Sequence, residues 1–160
     1  MSYRTHGHPG RPGTSDHAEI YVDAGSTTQV TNASADTFDL ITGFNTAAGV
    51  NGEASGAVAV KASNKITLTL AGKYHVLFAC SWQGTTNETY HVHAFVGGTK
   101  HDATAFKRKI GTGTDTGAGS FAGIVTATAG QDLDVRVAAA GTSSDFIPIA
   151  MNLTAIRIGD

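Results

Sequence analysis

From Lys65 to Ala139 the apolar side chains fall on alternate positions, and short turns cut the alternation into strand-sized lengths. Residues 65–70 alternate Ile66, Leu68 and Leu70 with threonine. Residues 73–83 set Tyr74, Val76, Phe78, Cys80 and Trp82 against His75, Leu77, Ala79 and Ser81. Residues 132–139 set Leu133, Val135 and Val137 inward and Asp132, Asp134 and Arg136 outward. A period of two places successive side chains on opposite faces of an extended backbone, so this pattern selects strands. No stretch repeats apolar residues at i, i+3, i+4 and i+7 without a breaker, so no helix is predicted.

The turn chemistry supports the same reading. Ser63-Asn64, Ala71-Gly72, Gly97-Gly98 and Ala129-Gly130 separate the runs, and Gly97-Gly98 predicts a hairpin between 89–96 and 99–110. Further strands are expected at 18–23, 37–44, 57–61, 120–128 and, after Pro148, at 149–158. The glycine-rich stretch 111–119 reads as a loop, flexible or facing an assembly. With 20 glycines in 160 residues and only 15% charged side chains, the composition suits short strands and many turns. The prediction is an all-β chain forming one jelly-roll β-sandwich over residues 17–160.

Residues 1–16 differ from the rest, with two of the three prolines, Arg4 and Arg11, and almost nothing to bury. As free chain they cannot offset their ordering entropy, so they read as an extended N-terminal arm that orders against a partner. Tyr3, Arg4, His6, His8 and Arg11 are its expected gripping residues, since arginine pairs bidentately with carboxylates and tyrosine offers rigid contact area.

Charge and targeting features narrow the partners. A net charge of −2 supplies no general field for nucleic acid or an anionic membrane, and neither is expected as a partner. The single cysteine, Cys80, cannot form an intrachain disulfide. Residues 1–13 lack the apolar core of a signal peptide, and no window has the length of a spanning helix. The expectation is a soluble protein made in a cytoplasm.

The run Ala71–Trp82, AGKYHVLFACSW, resembles the central strand of the tumour necrosis factor and complement globular-head superfamily, where Gly-x-Tyr opens an alternating aromatic strand. The hairpin after Tyr90, the Ala-Gly-x-x-Leu entry at 129–133 and the final run Leu153–Gly159, LTAIRIG, are similar to that superfamily as well. The resemblance covers residues 65–160 and implies a jelly roll that assembles as a homotrimer about a threefold axis. Large side chains on both faces of 73–83 and 89–96 support assembly independently, because an unpaired apolar face needs a cover. Tyr74, Phe78, Tyr90, His91, His93 and Phe95 are the expected trimer contacts.

A member of this superfamily without a signal sequence or cysteine pairs is similar to virion proteins of tailed phages. The resemblance implies a capsid decoration (cement) protein, made in the host cytoplasm, bound to the major capsid protein on the outer capsid surface and stabilising the head. The alternatives are a receptor- or glycan-binding trimeric tip of a fibre or tail and a cupin-like metalloenzyme. The last rests on His91-Val92-His93 with His101, two imidazoles on one strand face, but the glutamate that follows such a pair in cupins is missing. No catalytic residue, metal or cofactor is therefore expected. If copies of one histidine converge on the threefold axis, assembly becomes sensitive to pH.

Three weaker signals remain. Lys107-Arg108-Lys109 reads as a solvated strand edge, or as a contact to an acidic capsid or lipopolysaccharide surface; without aromatic neighbours it does not suggest nucleic acid. Asp132 and Asp134 alternate outward without the spacing of a calcium loop. The glycosylation sequons at Asn32, Asn87 and Asn152 are chance matches in a threonine-rich chain.

Overall fold

The computed structural model describes residues 16–22, 28–46, 49–50, 52–55, 59–113 and 115–160. Its strands are β1 (His17–Val22), β2 (Val30–Asn32), β3 (Asp39–Leu40), β4 (Asn45–Thr46), β5 (Gly49–Val50), β6 (Ala54–Ser55) and β7 (Ala59–Ala62). They continue with β8 (Lys65–Leu68), β9 (Gly72–Gly84), β10 (Thr89–Val96), β11 (Thr99–Lys109), β12 (Thr116–Ala127), β13 (Gln131–Ala139) and β14 (Ser144–Gly159). No helix occurs among the described residues.

Two antiparallel sheets form the sandwich. Sheet A runs β12-β9-β14-β1-β6 with β2 also on β14, and sheet B runs β11-β10-β13-β8-β7 with β3 also on β13. The alternation read from the sequence places Tyr74, Val76, Phe78, Cys80 and Trp82 of β9 inward, facing Tyr90, Val92, Leu133, Val135 and Val137 of sheet B. At the centre Trp82 lies 5.3 Å from Phe146, 5.7 Å from Phe106 and 6.3 Å from Tyr90, measured between ring centroids. Phe78 adds Phe121 at 5.3 Å. Aromatic rings at these separations combine apolar burial with quadrupole attraction, so this group anchors the two sheets to each other.

The β10–β11 hairpin turns on Gly97 and Gly98, both at positive φ (56° and 79°), as a two-residue turn of the primed kind requires. Three elements depart from the sequence reading. Residues 37–44 form a ladder only at β3; the Ile41 N–H then donates to the Val135 carbonyl (2.9 Å), and Asn64 Oδ1 accepts from the backbone N–H of Gly43 (3.0 Å) and Phe44 (3.2 Å). β14 starts five residues before 149 and runs through Pro148, where a register shift absorbs the missing N–H. β12 starts at Thr116, inside the stretch read as a loop. Its glycines point inward and let side chains of β9 and β11 lie against its backbone.

Candidate functional site

The expected anchoring residues Tyr3, Arg4, His6, His8 and Arg11 lie outside the described residues. The carbonyl of Asp16 accepts from the N–H of Arg157 at 2.8 Å.

The expected trimer contacts divide into two groups on different layers. Tyr74, Phe78 and Tyr90 are fully buried inside the single chain and have no surface to offer a neighbour. The Tyr74 hydroxyl donates to the Leu70 carbonyl at 2.7 Å. That of Tyr90 donates to the Asp145 carbonyl and accepts from the Thr85 N–H at 2.8 Å. The assignment of these three to an interface is corrected: they fill the space between the sheets.

His91, His93 and Phe95 do point outward, from β10 on the outer face of sheet B, but the same chain covers the two histidines in part and buries Phe95, which is left with little surface for a neighbour. Phe38, carried in by the segment before β3, sits edge-on to His93 with centroids 5.1 Å apart and tilted against Phe95 at 5.5 Å. Arg136 stacks over Phe95 at 4.3 Å while its guanidinium donates to Asp134 at 2.7 and 3.2 Å. Asp132 is engaged by Lys65 (2.6 Å) and Thr67 (2.7 Å), so the two aspartates of β13 serve separate partners rather than one ion. Among the described residues no three His, Cys, Asp or Glu side chains come together in a metal-binding group. His101 lies opposite Ala94, with its Nδ1 3.3 Å from the Thr104 hydroxyl.

Burial holds the imidazoles of His91 and His93 below the ordinary histidine range. The charge of Lys107 lowers His91 further, and a hydrogen bond to the His101 backbone partly offsets the effect at His93. His93 Nδ1 is buried without a partner, so a proton arriving there has nothing to donate to. The unfolded chain, titrating near ~6.5, takes up these protons first as pH falls. Stability is therefore expected to be constant above about pH 6.5 and to decline as pH drops through the interval below it. Urea midpoints across that interval test this: His93→Gln flattens the decline, and an identical slope in both proteins overturns it. Glu88 and Asp132, held below the ordinary carboxylate values mainly by hydrogen bonds that outweigh burial, lose their contribution only at more acid pH.

The outer face of sheet A is the second side of 73–83, the side whose apolar residues the sequence reading expected a neighbouring copy to cover. Leu77, Ala79 and Ser81 of β9 lie beside Ala118, Ser120 and Ala122 of β12 and beside Ala150, Asn152 and Thr154 of β14. None of these nine side chains is charged. A shallow groove of about 750 Å³ crosses this face between Tyr21, Ala79, Ala118 and Met151. Its one carboxylate, Glu19, accepts from Asn152 Nδ2 at 2.6 Å. Ile124 extends the face at the β12 edge and is 55% exposed. The signal was present in the sequence as small and uncharged residues where a solvated strand carries Lys or Glu. Cys80 lies under the groove, and burial pushes its thiol pKa up, which keeps it in the unreactive thiol form.

Two antiparallel sheets in this order, with the terminal strand β14 central in sheet A between β9 and β1, define a jelly-roll sandwich of the tumour necrosis factor type. Solved structures of the same fold include the PRD1 vertex protein P5, 13% identical, covering 92% of this chain and 99% of that one with a TM-score of 0.58. Murine APRIL at pH 8.5 is 9% identical, covering 89% of this chain and 99% of that one with a TM-score of 0.57; at pH 8.0 it is 11% identical with a TM-score of 0.55. No protein-family profile and no curated protein sequence matches the chain.

Proposed function

We propose that this chain is a viral structural protein: a homotrimeric decoration protein that sits on the outer surface of a capsid, contacts the major capsid protein and stabilises the head. The observation that carries the reading is the likeness of nearly the whole chain to a vertex protein, over 92% of its length. A vertex protein is also compatible with the second reading, a receptor- or glycan-binding tip present at few positions. The number of copies separates the two. Quantitative mass spectrometry of purified particles is expected to find this chain near stoichiometric with the major capsid protein. A few copies per particle favours the tip, and absence overturns both.

The trimer contact is placed on the outer face of sheet A, which supplies the uncharged surface that Tyr74, Phe78 and Tyr90 cannot. Small side chains let two sheets approach closely, and the groove offers a recess for a neighbour's edge residue such as Ile124. Ala79→Arg sets a charge in the middle of this face, where burial without a partner is costly. Light scattering is expected to show the mass falling to that of one chain, while Ala103→Arg on β11 of sheet B leaves it unchanged. An Ala79→Arg protein that remains trimeric moves the interface elsewhere.

In this reading the arm at residues 1–16 reaches across capsid boundaries through Tyr3, Arg4, His6, His8 and Arg11. Three arms on one trimer multiply weak contacts, since each docked arm raises the effective concentration of the others. Removing residues 1–15 is expected to leave the oligomeric mass per domain unchanged and to release the protein from the capsid.

A further inference from the structure

We propose that the edge of sheet B at Lys107, Arg108 and Lys109 binds a flexible anionic polysaccharide carrying sulfate or phosphate esters. The inference stands apart from the capsid reading and uses a different face of the molecule. β11 is the last strand of sheet B, and these three consecutive cations end it, all exposed. Three other cations on the same sheet are neutralised, Lys65 by Asp132 at 2.6 Å, Lys100 by Asp102 at 3.0 Å and Arg136 by Asp134 at 2.7 Å. Among the described residues no acidic side chain pairs with Lys107, Arg108 or Lys109. The nearest carboxylate along the ladder, Glu88, is turned to its own loop, accepting from the Thr89 N–H at 2.6 Å and the Ser144 hydroxyl at 2.8 Å.

The arrangement of the three charges selects the partner. Lys107 stands opposite His91 and Lys109 opposite Thr89, so both project to the outer side of the sheet. They are separated by two strand residues, about 7 Å. Arg108, opposite Tyr90, has the opposite parity to its two neighbours and is exposed as well. Cations on both sides of one edge meet a rigid, flat surface on one side only, whereas a flexible linear polyanion folds around the edge and meets all three. Single-stranded nucleic acid needs rings to stack on, and the exposed large apolar residues are Tyr21, Leu70, Ile124 and Ile158, none on β10 or β11.

Edge lysines also guard sheets against pairing with other chains, and the experiment separates that role from binding. Fluorescent dextran sulfate is titrated against the full chain at low and at physiological salt. Binding is expected at low salt, weakening by about tenfold or more at the higher salt as screening sets in. The triple variant K107Q/R108Q/K109Q is expected to lose about tenfold or more in affinity, and K107R/K109R to retain it. Uncharged dextran is expected not to bind. The urea midpoint of each variant confirms folding, and the three single Gln variants carry the test should the triple variant not fold. No binding of dextran sulfate, equal binding by the Gln variants, or equally tight binding of duplex DNA or poly-glutamate at matched charge overturns the proposal. Aggregation of the triple variant with its dextran sulfate affinity intact assigns the cations to edge protection alone and overturns it too.

Discussion

Trp82→Ala is expected to lower the unfolding free energy by about 3–5 kcal/mol, a large part of the ~5–15 kcal/mol that holds a domain of this size together. The indole is fully buried and is the common neighbour of Phe106, Tyr90 and Phe146, which come from three different strands. It also packs on the backbone of Gly117, where a Cβ would lie 2.9 Å from its Cζ2. Truncation leaves a cavity whose walls belong to both sheets, so it cannot collapse by moving one strand. Trp82→Phe keeps a ring in the stack and removes an indole N–H that has no partner inside the protein. Its cost is expected to be below about 1.5 kcal/mol. Because Trp82 is the only tryptophan, far-ultraviolet circular dichroism in urea rather than intrinsic fluorescence reads both variants. A loss below about 1 kcal/mol for Trp82→Ala is incompatible with the central position given to the ring.

Gly119→Val is the second large effect, and it comes from adding atoms rather than removing them. A Cβ at this position lies 2.6 Å from Cδ2 and 2.8 Å from Cζ of Phe106, whose ring runs stacked on Phe78. Gly117 and Gly123 are similarly close, with a Cβ 2.6 Å from Ile110 Cδ1 and from Thr104 Cγ2 respectively. Along β12 the missing side chains let β11 close the side of the sandwich. Overpacking of this kind costs about 1–3 kcal/mol for Gly119→Ala, and the branched valine is expected to exceed the alanine. Gly159→Ala, with open space around its Cβ, serves as the neutral control. Phe106→Leu combined with Gly119→Ala is expected to recover part of the loss, a coupling that a double-mutant cycle measures by urea unfolding. Simple additivity of the two changes places the clash elsewhere.

Much of the fold was legible in the sequence because strand parity is a local property. The alternation at 73–83 grouped the residues that share a face of β9, that at 132–139 named the inward residues of β13, and Gly97-Gly98 located the β10–β11 hairpin within the chain. Glycine was the ambiguous letter. At 111–119 it marks a turn at its start and a close-packed strand at its end, and only the presence of Phe106 and Trp82 across from Gly117 and Gly119 distinguishes the two uses. Pro148 was similarly read as a boundary, although a register shift carries β14 through it.

The candidate surfaces were less legible, since they depend on what lies over each strand. Nothing in the neighbourhood of His93 and Phe95 along the chain announces that Phe38, more than fifty positions earlier, covers them. Nor does the aromatic character of Tyr74, Phe78 and Tyr90 say whether they serve the core or a partner, because both environments exclude water. Alternation by itself determined that this chain makes strands and which residues share a face. The tertiary structure decided which face is inside, which strands are neighbours and which charges remain unpaired. Those outcomes rest on contacts between residues far apart in the chain, whose pairing is set by packing across the sandwich rather than by any local preference.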